Sequence, residues 1–255
     1  MAKRARLDLL LVERGLFETR SKASAAVMAG LVLVDGKPAL KAGEAVAEEA
    51  ELSLKSDPCP YVSRGGLKLR AALDAFPSID VVGRTCLDVG ASTGGFTDCL
   101  LQAGAAKVYA IDVGTQQLHS KIKADPRVVS RENTHAKLIL PEWFSPRPTL
   151  AVVDVSFISL SQVLPFIIPC LIEPRDLIVL VKPQFEVGPK LAPKGVVRDP
   201  AVRLQAVDKI RTAAKTLGLA ARGLVESPAK GPKGNVEFLL WLLPDGNSGF
   251  AKLAS

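Results

Sequence analysis

The sequence predicts an α/β protein in which a doubly wound sheet follows a small α+β module. Two observations support the sheet: a glycine-rich turn joins an apolar strand to a helix in "RTCLDVGASTGGFTDCLLQAG", and two later apolar runs end at Asp154 and Lys182. Helical apolar spacing followed by short strands before residue 56 supports the module. Open α/β sheets bind ligands at the carboxyl ends of their strands, so the charged strand ends indicate a functional site.

The composition is that of a globular protein with a basic balance. The 255 residues are 48% hydrophobic and 23% charged, and the formal net charge is +7. This charge favours a polyanionic partner such as nucleic acid. The four cysteines show no CxxC spacing, which argues against a bound metal and against a disulfide framework. Neither a signal peptide nor an apolar run of membrane length is present, so we expect no membrane association and a cytoplasmic location.

Residues 1–56 predict a small module of helices and short strands. Apolar spacing in "RLDLLLVERG" predicts a first helix, and "TRSKASAAVMAG" predicts a second, capped by Thr19 or Ser21. "LVLVDGKPA" predicts a hairpin that turns at Asp35-Gly36, and "AELSLKS" predicts a further strand.

The stretch "RLDLLLVERGLFETRSKASAAVMAGLVLVDGK" resembles the RNA-binding domain named after ribosomal small-subunit protein S-four, the alpha-L motif. The resemblance implies that basic side chains of the module contact RNA phosphates. Such contacts are independent of base sequence and weaken with salt. The alternative is a pair of solvated basic helices. The candidate RNA-binding residues, one of them beyond the module, are Arg4, Arg6, Arg20, Ser21, Lys22 and Arg64.

The segment "KSDPCPYVSRGG" separates the module from the rest of the chain. Its two prolines, its glycine pair and its lack of periodicity predict a linker over residues 57–62. The sequence therefore predicts a first domain over residues 1–56 and a second over residues 63–245, followed by a weakly ordered tail over residues 246–255.

The glycine-rich turn predicts a ligand site. Gly90, Gly94 and Gly95 allow a sharp turn and a close approach of a ligand to the backbone, and the following helix presents free N–H groups. The next strand, "KVYAID", ends at Asp112, whose carboxylate can accept hydrogen bonds from both ribose hydroxyls of an adenosine-type cofactor. The alternative is a turn that needs glycine only for its backbone conformation.

The details of this turn favour S-adenosylmethionine over NAD. The glycine spacing is not GxGxxG, and Asp88 just before the turn would repel a pyrophosphate, whereas S-adenosylmethionine has no phosphate and a cationic sulfonium. "DVGASTGGFT" and "AIDVG" resemble the methionine-binding and ribose-binding segments of class I (Rossmann-like) methyltransferases, which implies a doubly wound seven-stranded sheet. "RENTHAK" follows the third strand, where such enzymes contact adenine. The candidate cofactor-binding residues are Asp88, Gly90, Ala91, Ser92, Gly94, Gly95, Phe96, Asp112, Asn133 and Asp154.

The charged groups at the ends of the apolar strands allow two interpretations. Lys182 follows "DLIVLV", and Asp154 follows "TLAVV". Such a lysine either extends to solvent or pairs with a structural acid, or its ammonium is tuned by burial and neighbours for proton handling.

Lys68 in "SRGGLKL" and Glu237 in "NVEFLLWL" extend this set. The order Lys68, Asp154, Lys182, Glu237 resembles the catalytic Lys–Asp–Lys–Glu tetrad of ribose 2'-O-methyltransferases of the FtsJ type. With the N-terminal module, "DVSFISL", "VKPQFEVG" and "KGVVRDP", the chain from about residue 5 to residue 243 resembles the TlyA family. The resemblance implies methylation of the ribose 2'-O of cytidine in ribosomal RNA. The implied target is a cytidine in the large-subunit RNA, with a second one in the small-subunit RNA for some members.

Four further features of the sequence allow an interpretation. Phe157, next to Ser156, either stacks on a flipped-out base or packs in the core. His119 and His135 are interpreted as surface or packing residues. The lysines of the loop "AKGPKG" either contact RNA backbone or are solvated. The late helix has a predicted apolar face of Leu204, Val207, Ile210 and Leu217.

Two other classes of function stay open. One is a non-catalytic RNA-binding protein built on a methyltransferase scaffold. The other is a membrane-active haemolysin, a name that several members of the family have. The second class requires an apolar or amphipathic segment able to enter lipid, and none is evident in the sequence.

Overall fold

The computed structural model describes residues 3–54 and 59–246, and the boundary between its two compact units falls between Pro60 and Tyr61. Residues 57 and 58 of the predicted linker and residues 247–255 of the predicted tail lie outside the described residues. No helix in the described ranges is long and apolar enough to span a bilayer.

The amino-terminal unit packs two helices with short antiparallel strands around one apolar core. β1 pairs with β4, and β2 lies between β3 and β5. The core joins Leu7 and Leu11 of the first helix to Ala23 and Val27 of the second. The elements are β1 (Arg4–Arg6), α1 (Leu7–Glu13), α2 (Arg20–Met28), β2 (Val32–Val34), β3 (Lys37–Pro38), β4 (Ala45–Ala47) and β5 (Leu52–Leu54).

Local chemistry sets two boundaries in this unit. The Thr19 hydroxyl accepts a hydrogen bond from the Lys22 backbone N–H at 3.3 Å, so Thr19 and not Ser21 caps α2. Asp35 and Gly36 both have positive φ, 50° and 74°, which is the geometry of the predicted two-residue hairpin turn. Strands β1 and β4 were not predicted, because no turn signal or longer apolar pattern marks them as it marks β2 and β5.

The second unit contains the doubly wound sheet, with seven strands in the described part of the chain in the order β11-β12-β10-β9-β6-β7-β8. Strands β6 to β10 are parallel, and β12 runs antiparallel to both β10 and β11. The elements are α3 (Gly65–Ala75), β6 (Thr85–Val89), α4 (Gly95–Gln102), β7 (Lys107–Ile111), α5 (Ser120–Lys123), β8 (Val128–Arg131), β9 (Leu150–Val153), α6 (Leu160–Ile167), β10 (Asp176–Val181), α7 (Pro183–Glu186), α8 (Pro200–Thr216), β11 (Leu219–Glu226) and β12 (Phe238–Pro244).

The chain order creates a switch point between β6 and β9. After β6 the chain proceeds outward through β7 and β8, then returns to add β9 on the opposite side of β6. The crevice at such a point, outside the carboxyl ends of the strands, is where ligands bind in this architecture. The predicted fold class is therefore confirmed.

Each face of the sheet is covered by its own apolar core. Leu87 and Val89 of β6 belong to the core that includes α6 and α8, whereas Cys86 belongs to the core that includes α3 and α4. Cys86 and Cys99 are buried, and burial raises the pKa of their thiols to about 12 and about 11. They therefore pack as small apolar residues.

The predicted apolar face of the late helix was partly wrong. Leu204 is 50% exposed, whereas Ala206, Val207, Ile210 and Ala214 of α8 are buried. At about 100° per residue, Leu204 lies roughly a quarter turn from the centre of this buried stripe. The prediction considered large apolar side chains, but two of these four buried residues are alanines.

Candidate active site

Four ionisable side chains form two ion pairs at one edge of the sheet. Lys182 Nζ lies 2.5 Å from Asp154 Oδ1, and Lys68 Nζ donates to Glu237 Oε2 at 2.6 Å. Asp154 and Lys182 follow the neighbouring parallel strands β9 and β10 directly. Glu237 precedes β12, and because β12 is antiparallel its amino end lies at that same edge. The structure therefore brings together four residues that are spread over 170 positions of the sequence.

Both pairs are largely withdrawn from solvent. The side chains of Lys68 and Glu237 are 12% and 0% exposed, and those of Lys182 and Asp154 are 9% and 21% exposed. Buried charges are costly unless they are paired. Lys182 therefore does not extend freely to solvent, because Asp154 and a hydrogen bond to Ser156 Oγ at 2.9 Å hold its ammonium.

A first cavity, of about 460 Å³, opens beside these pairs. Lys68, Asp154, Gly90 and the loop at 229–233 contribute to its walls. Gly231 lies directly against the tetrad, because a Cβ on it would stand 2.0 Å from Glu237 Oε1. The first cavity thus exposes a lysine and a carboxylate of the tetrad to a ligand.

A second cavity, of about 280 Å³, shares Gly90, Ser92 and Asp154 with the first. Asp112 lies in its wall, where the carboxylate accepts hydrogen bonds from the backbone N–H groups of Ser92 and Gly114, each at 2.7 Å. The two cavities form a continuous crevice at the switch point of the sheet.

Gly90 makes this crevice possible. Its φ is 87°, and a Cβ on it would stand 2.3 Å from the backbone oxygen of Asp154. No other residue fits where the ends of β6 and β9 approach so closely. Gly90 is therefore required by the backbone conformation and by the close approach of β6 to β9.

The structure divides the candidate cofactor-binding residues into two groups. Gly90, Ala91, Ser92, Gly95, Phe96, Asp112 and Asp154 line one or both cavities. Asp88, Gly94 and Asn133 line neither. Asn133 is exposed and has a φ of 52°, and the wall is formed instead by the next residues, Thr134, His135 and Ala136. His135 was interpreted as a surface or packing residue, although it lies in the segment "RENTHAK" from which Asn133 was chosen.

Asp88 is fully buried beside the crevice. Its Oδ2 accepts a hydrogen bond from the Thr97 hydroxyl at 2.6 Å, and its Oδ1 has no hydrogen-bond partner among the described residues. Burial raises the pKa of this carboxyl to about 7. Because Asp88 lines neither cavity, it would influence a ligand through the conformation of the glycine turn and not by direct contact.

Phe157 is 91% exposed, which excludes the core alternative. Its φ is 64°, an uncommon conformation for an aromatic residue, and its ring centroid lies 5.1 Å from that of Phe185. It lines the second cavity. An aromatic face held outward beside a polar crevice can stack on a planar ligand.

The candidate RNA-binding residues of the amino-terminal unit have partners within it. Arg6 and Arg20 both donate to Asp8, at 3.0 and 2.7 Å, while their side chains stay 49% and 55% exposed. These hydrogen bonds, chiefly those of Arg6, hold the pKa of Asp8 well below its usual range. Arg4 donates to the Ala45 carbonyl. The shared carboxylate orients two half-exposed guanidinium groups.

The other three candidates differ in their surroundings. Lys22 pairs with Glu18 at 2.5 Å, and Ser21 is exposed. Arg64 belongs to the second unit, where it lines the first cavity. Within the residues that the structure describes, no group of three or more His, Cys, Asp or Glu side chains could hold a metal ion.

Two family descriptions match the chain. The S4 domain matches residues 5–52, and the FtsJ-like methyltransferase matches residues 61–243. The chain therefore belongs to the FtsJ-like methyltransferase family, with an S4 domain in front of the methyltransferase domain.

Within that family the chain is similar to the TlyA proteins. The 16S/23S rRNA (cytidine-2'-O)-methyltransferase TlyA of Mycobacterium tuberculosis is 48% identical over 95% of this chain and 91% of its own length. Hemolysin A of Brachyspira hyodysenteriae is 40% identical over 92% of this chain and 98% of its own. A solved structure of a hemolysin-named protein from Streptococcus thermophilus is 42% identical, with a TM-score of 0.75 over 96% of this chain and 90% of that one.

Proposed function

We propose that the protein transfers a methyl group from S-adenosylmethionine to the ribose 2'-O of cytidine in ribosomal RNA. The observation on which this rests is the Lys182–Asp154 pair, 2.5 Å apart, in which Asp154 lines both cavities. The similarity to a relative named for this reaction supports the substrate. A ribosomal substrate also implies action in the cytoplasm. We propose the large-subunit RNA as the main target, with the small-subunit RNA as a second one.

The residues of the crevice fit S-adenosylmethionine. Asp112 and Asp154 place carboxylates in the second cavity, and the wall at Gly90 has no side chain that would fill it. Acidic walls suit a cationic cofactor without phosphates. When bound, the cofactor supplies an electrophilic methyl group on a sulfonium sulfur. Asp112 would hold the ribose hydroxyls, and the turn at 90–96 would hold the methionine portion.

The tetrad supplies the chemistry at the acceptor. A ribose hydroxyl is a weak nucleophile until its proton is steered away. Lys182, fixed by Asp154 and Ser156, would orient that hydroxyl. Its Nζ, as the neutral amine, would accept the proton that the oxygen loses as it bonds to the methyl carbon. The Lys68–Glu237 pair would form the opposite side of the same charged network. Because the lysines are already held, much of the rate enhancement would come from alignment.

Phe157 would position the target nucleotide. A base must leave its stack before its ribose reaches a buried lysine, and the outward aromatic ring offers the flipped base a stacking face. The target base would therefore lie over Phe157 while its ribose points into the first cavity.

A methyl-transfer assay with isolated ribosomal subunits and labelled S-adenosylmethionine tests this proposal. After digestion to nucleosides, we expect the label in 2'-O-methylcytidine. Lys182→Ala should lower transfer by at least about 10³-fold with cofactor affinity retained, whereas Lys215→Ala, on the exposed end of α8, should behave as wild type. Label in a base-methylated nucleoside would refute the acceptor, and no transfer at all would leave a non-catalytic RNA-binding protein.

A further inference from the structure

Two short turns with the same sequence lie side by side in the second unit. Residues 193–195 and 232–234 both read Pro-Lys-Gly, and Lys194 and Lys233 have the same φ of 56°. The glycine that follows each lysine is also left-handed, at 76° and 81°. A left-handed lysine costs about 1–2 kcal/mol, so its occurrence in two paired turns calls for a physical reason.

The paired turns are fastened together. Lys233 Nζ donates to the Lys194 carbonyl at 3.0 Å. Asn235, only 2% exposed, donates to the Gly195 and Pro232 carbonyls at 2.9 and 3.0 Å and accepts from the Val197 N–H at 3.1 Å. One buried amide thus fixes the two turns relative to each other.

The surface of the paired turns is positively charged. Lys194, Lys230 and Lys233 are exposed, and none forms an ion pair with any residue of the described ranges. Lys233 uses its ammonium to join the turns, which leaves Lys194 and Lys230 as outward charges. A fixed group of unpaired lysines is suited to an anion.

The location of the paired turns identifies the kind of anion. Lys230 and Lys233 line the first cavity together with Lys68 and Asp154. The neighbouring Gly231 packs against the Glu237 carboxylate. A polyanion held here would lie at the opening through which the acceptor ribose enters.

We propose that the paired turns clamp the phosphates of the RNA strand that flanks the target nucleotide. This inference rests on the proposed function for its substrate. Lys194 and Lys230 contact phosphates of this strand, and the Asn235 hydrogen bonds hold the turn that contains Lys194 against the turn that contains Lys233. The clamp orients the strand so that the ribose points at Lys182, and it contributes affinity that does not depend on base sequence.

The test is RNA binding by the full chain carrying Lys194→Asn and Lys230→Gln. Asparagine tolerates positive φ, so the first change removes charge without adding strain. The probe is the isolated large ribosomal subunit, titrated over a range of salt concentrations. We expect the double variant to bind roughly tenfold more weakly at moderate salt. The slope of log K against log salt concentration should be smaller in magnitude by about 1.5. Lys215→Gln, which removes one charge from the exposed end of α8, should match wild type.

Two further readouts separate this inference from the proposed function. Cofactor affinity and the melting temperature should stay at the wild-type values, since both lysines are exposed. A wild-type slope and affinity would overturn the clamp even where methyl transfer is normal. A reduced slope in a protein without methyl transfer would support the clamp while refuting the proposed function.

Discussion

The Asp88 carboxyl lies within the sheet, two residues before Gly90. It is fully buried, and burial raises its pKa to about 7 from an ordinary value of 3.8. A carboxyl that keeps its proton to higher pH in the folded state than in the unfolded state lowers stability as pH rises between those two values. Above about pH 7 the loss is complete and constant.

Asp88→Asn should remove this pH dependence. An asparagine oxygen can still accept from Thr97, and an amide does not ionise. The free energy of unfolding of the variant should therefore exceed that of wild type by an amount that grows from pH 4 to pH 7, reaching a few kcal/mol at most. Urea unfolding at pH 5 and pH 8 measures it. Parallel pH profiles for the two proteins would contradict the assignment.

Phe157→Ala should impair the reaction without affecting the fold. The ring is exposed, so little packing is lost, but stacking on a base contributes about 1–3 kcal/mol. We expect single-turnover methyl transfer to fall by tenfold or more, and Phe157→Tyr to retain most of the rate. An alanine variant that transfers at the wild-type rate would exclude a stacking role.

At the scale of elements, the glycine turn between β6 and α4 combines two constraints that can be separated. Gly90 and Gly83 both have positive φ, at 87° and 72°, but a Cβ on Gly83 would meet nothing within 4 Å, whereas one on Gly90 would overlap the Asp154 backbone. An alanine at either position would therefore be strained by the positive φ. Of the two, only an alanine at position 90 would also clash with the Asp154 backbone.

Gly90→Ala should accordingly be much worse than Gly83→Ala. Gly83→Ala, the matched variant, should lower the free energy of unfolding by about 1 kcal/mol. Gly90→Ala should cost several kcal/mol more and abolish cofactor binding, because the end of β9 must move. Thermal melts and cofactor titration measure both effects. Equal melting temperatures for the two variants would contradict this prediction, because they would show that the end of β9 can move without a loss of stability.

The elements differ in how well the sequence anticipated them. The buried strands β6, β9 and β10 were clear, because an unbroken apolar run bounded by turn residues is a local signal. Strands β1 and β4 were missed, and the apolar face of α8 was misplaced at Leu204. Both errors arise because short strands and alanine-rich contacts are defined by their partners rather than by their own residues.

At the scale of the whole molecule, the chain joins an S4 unit to an FtsJ-like methyltransferase unit. Each has a core of its own, and the cores of the second unit contain no residue from the first. This organisation favours a division in which the first unit supplies general RNA affinity and the second supplies chemistry.

Deletion of residues 1–56 should therefore weaken binding to ribosomal subunits and reduce its salt dependence while leaving cofactor affinity intact. The half-exposed Arg6 and Arg20 would be lost together with their shared Asp8. Binding titrations with subunits and with cofactor measure the two properties. Unchanged affinity for RNA would refute the role of the first unit.

By itself, the sequence indicated the doubly wound fold and the glycine turn, because periodicity and turn chemistry are properties of neighbouring residues. The four tetrad residues were recognised through the resemblance of their order to that of a known family. Only the tertiary structure decided that Lys182 pairs with Asp154 and Lys68 with Glu237, that Phe157 is exposed, and that Asp88 is sealed from the crevice. It also decided that two Pro-Lys-Gly turns meet across 39 residues. Those facts depend on contacts between distant parts of the chain, and such contacts form only when the sheet brings its strand ends together.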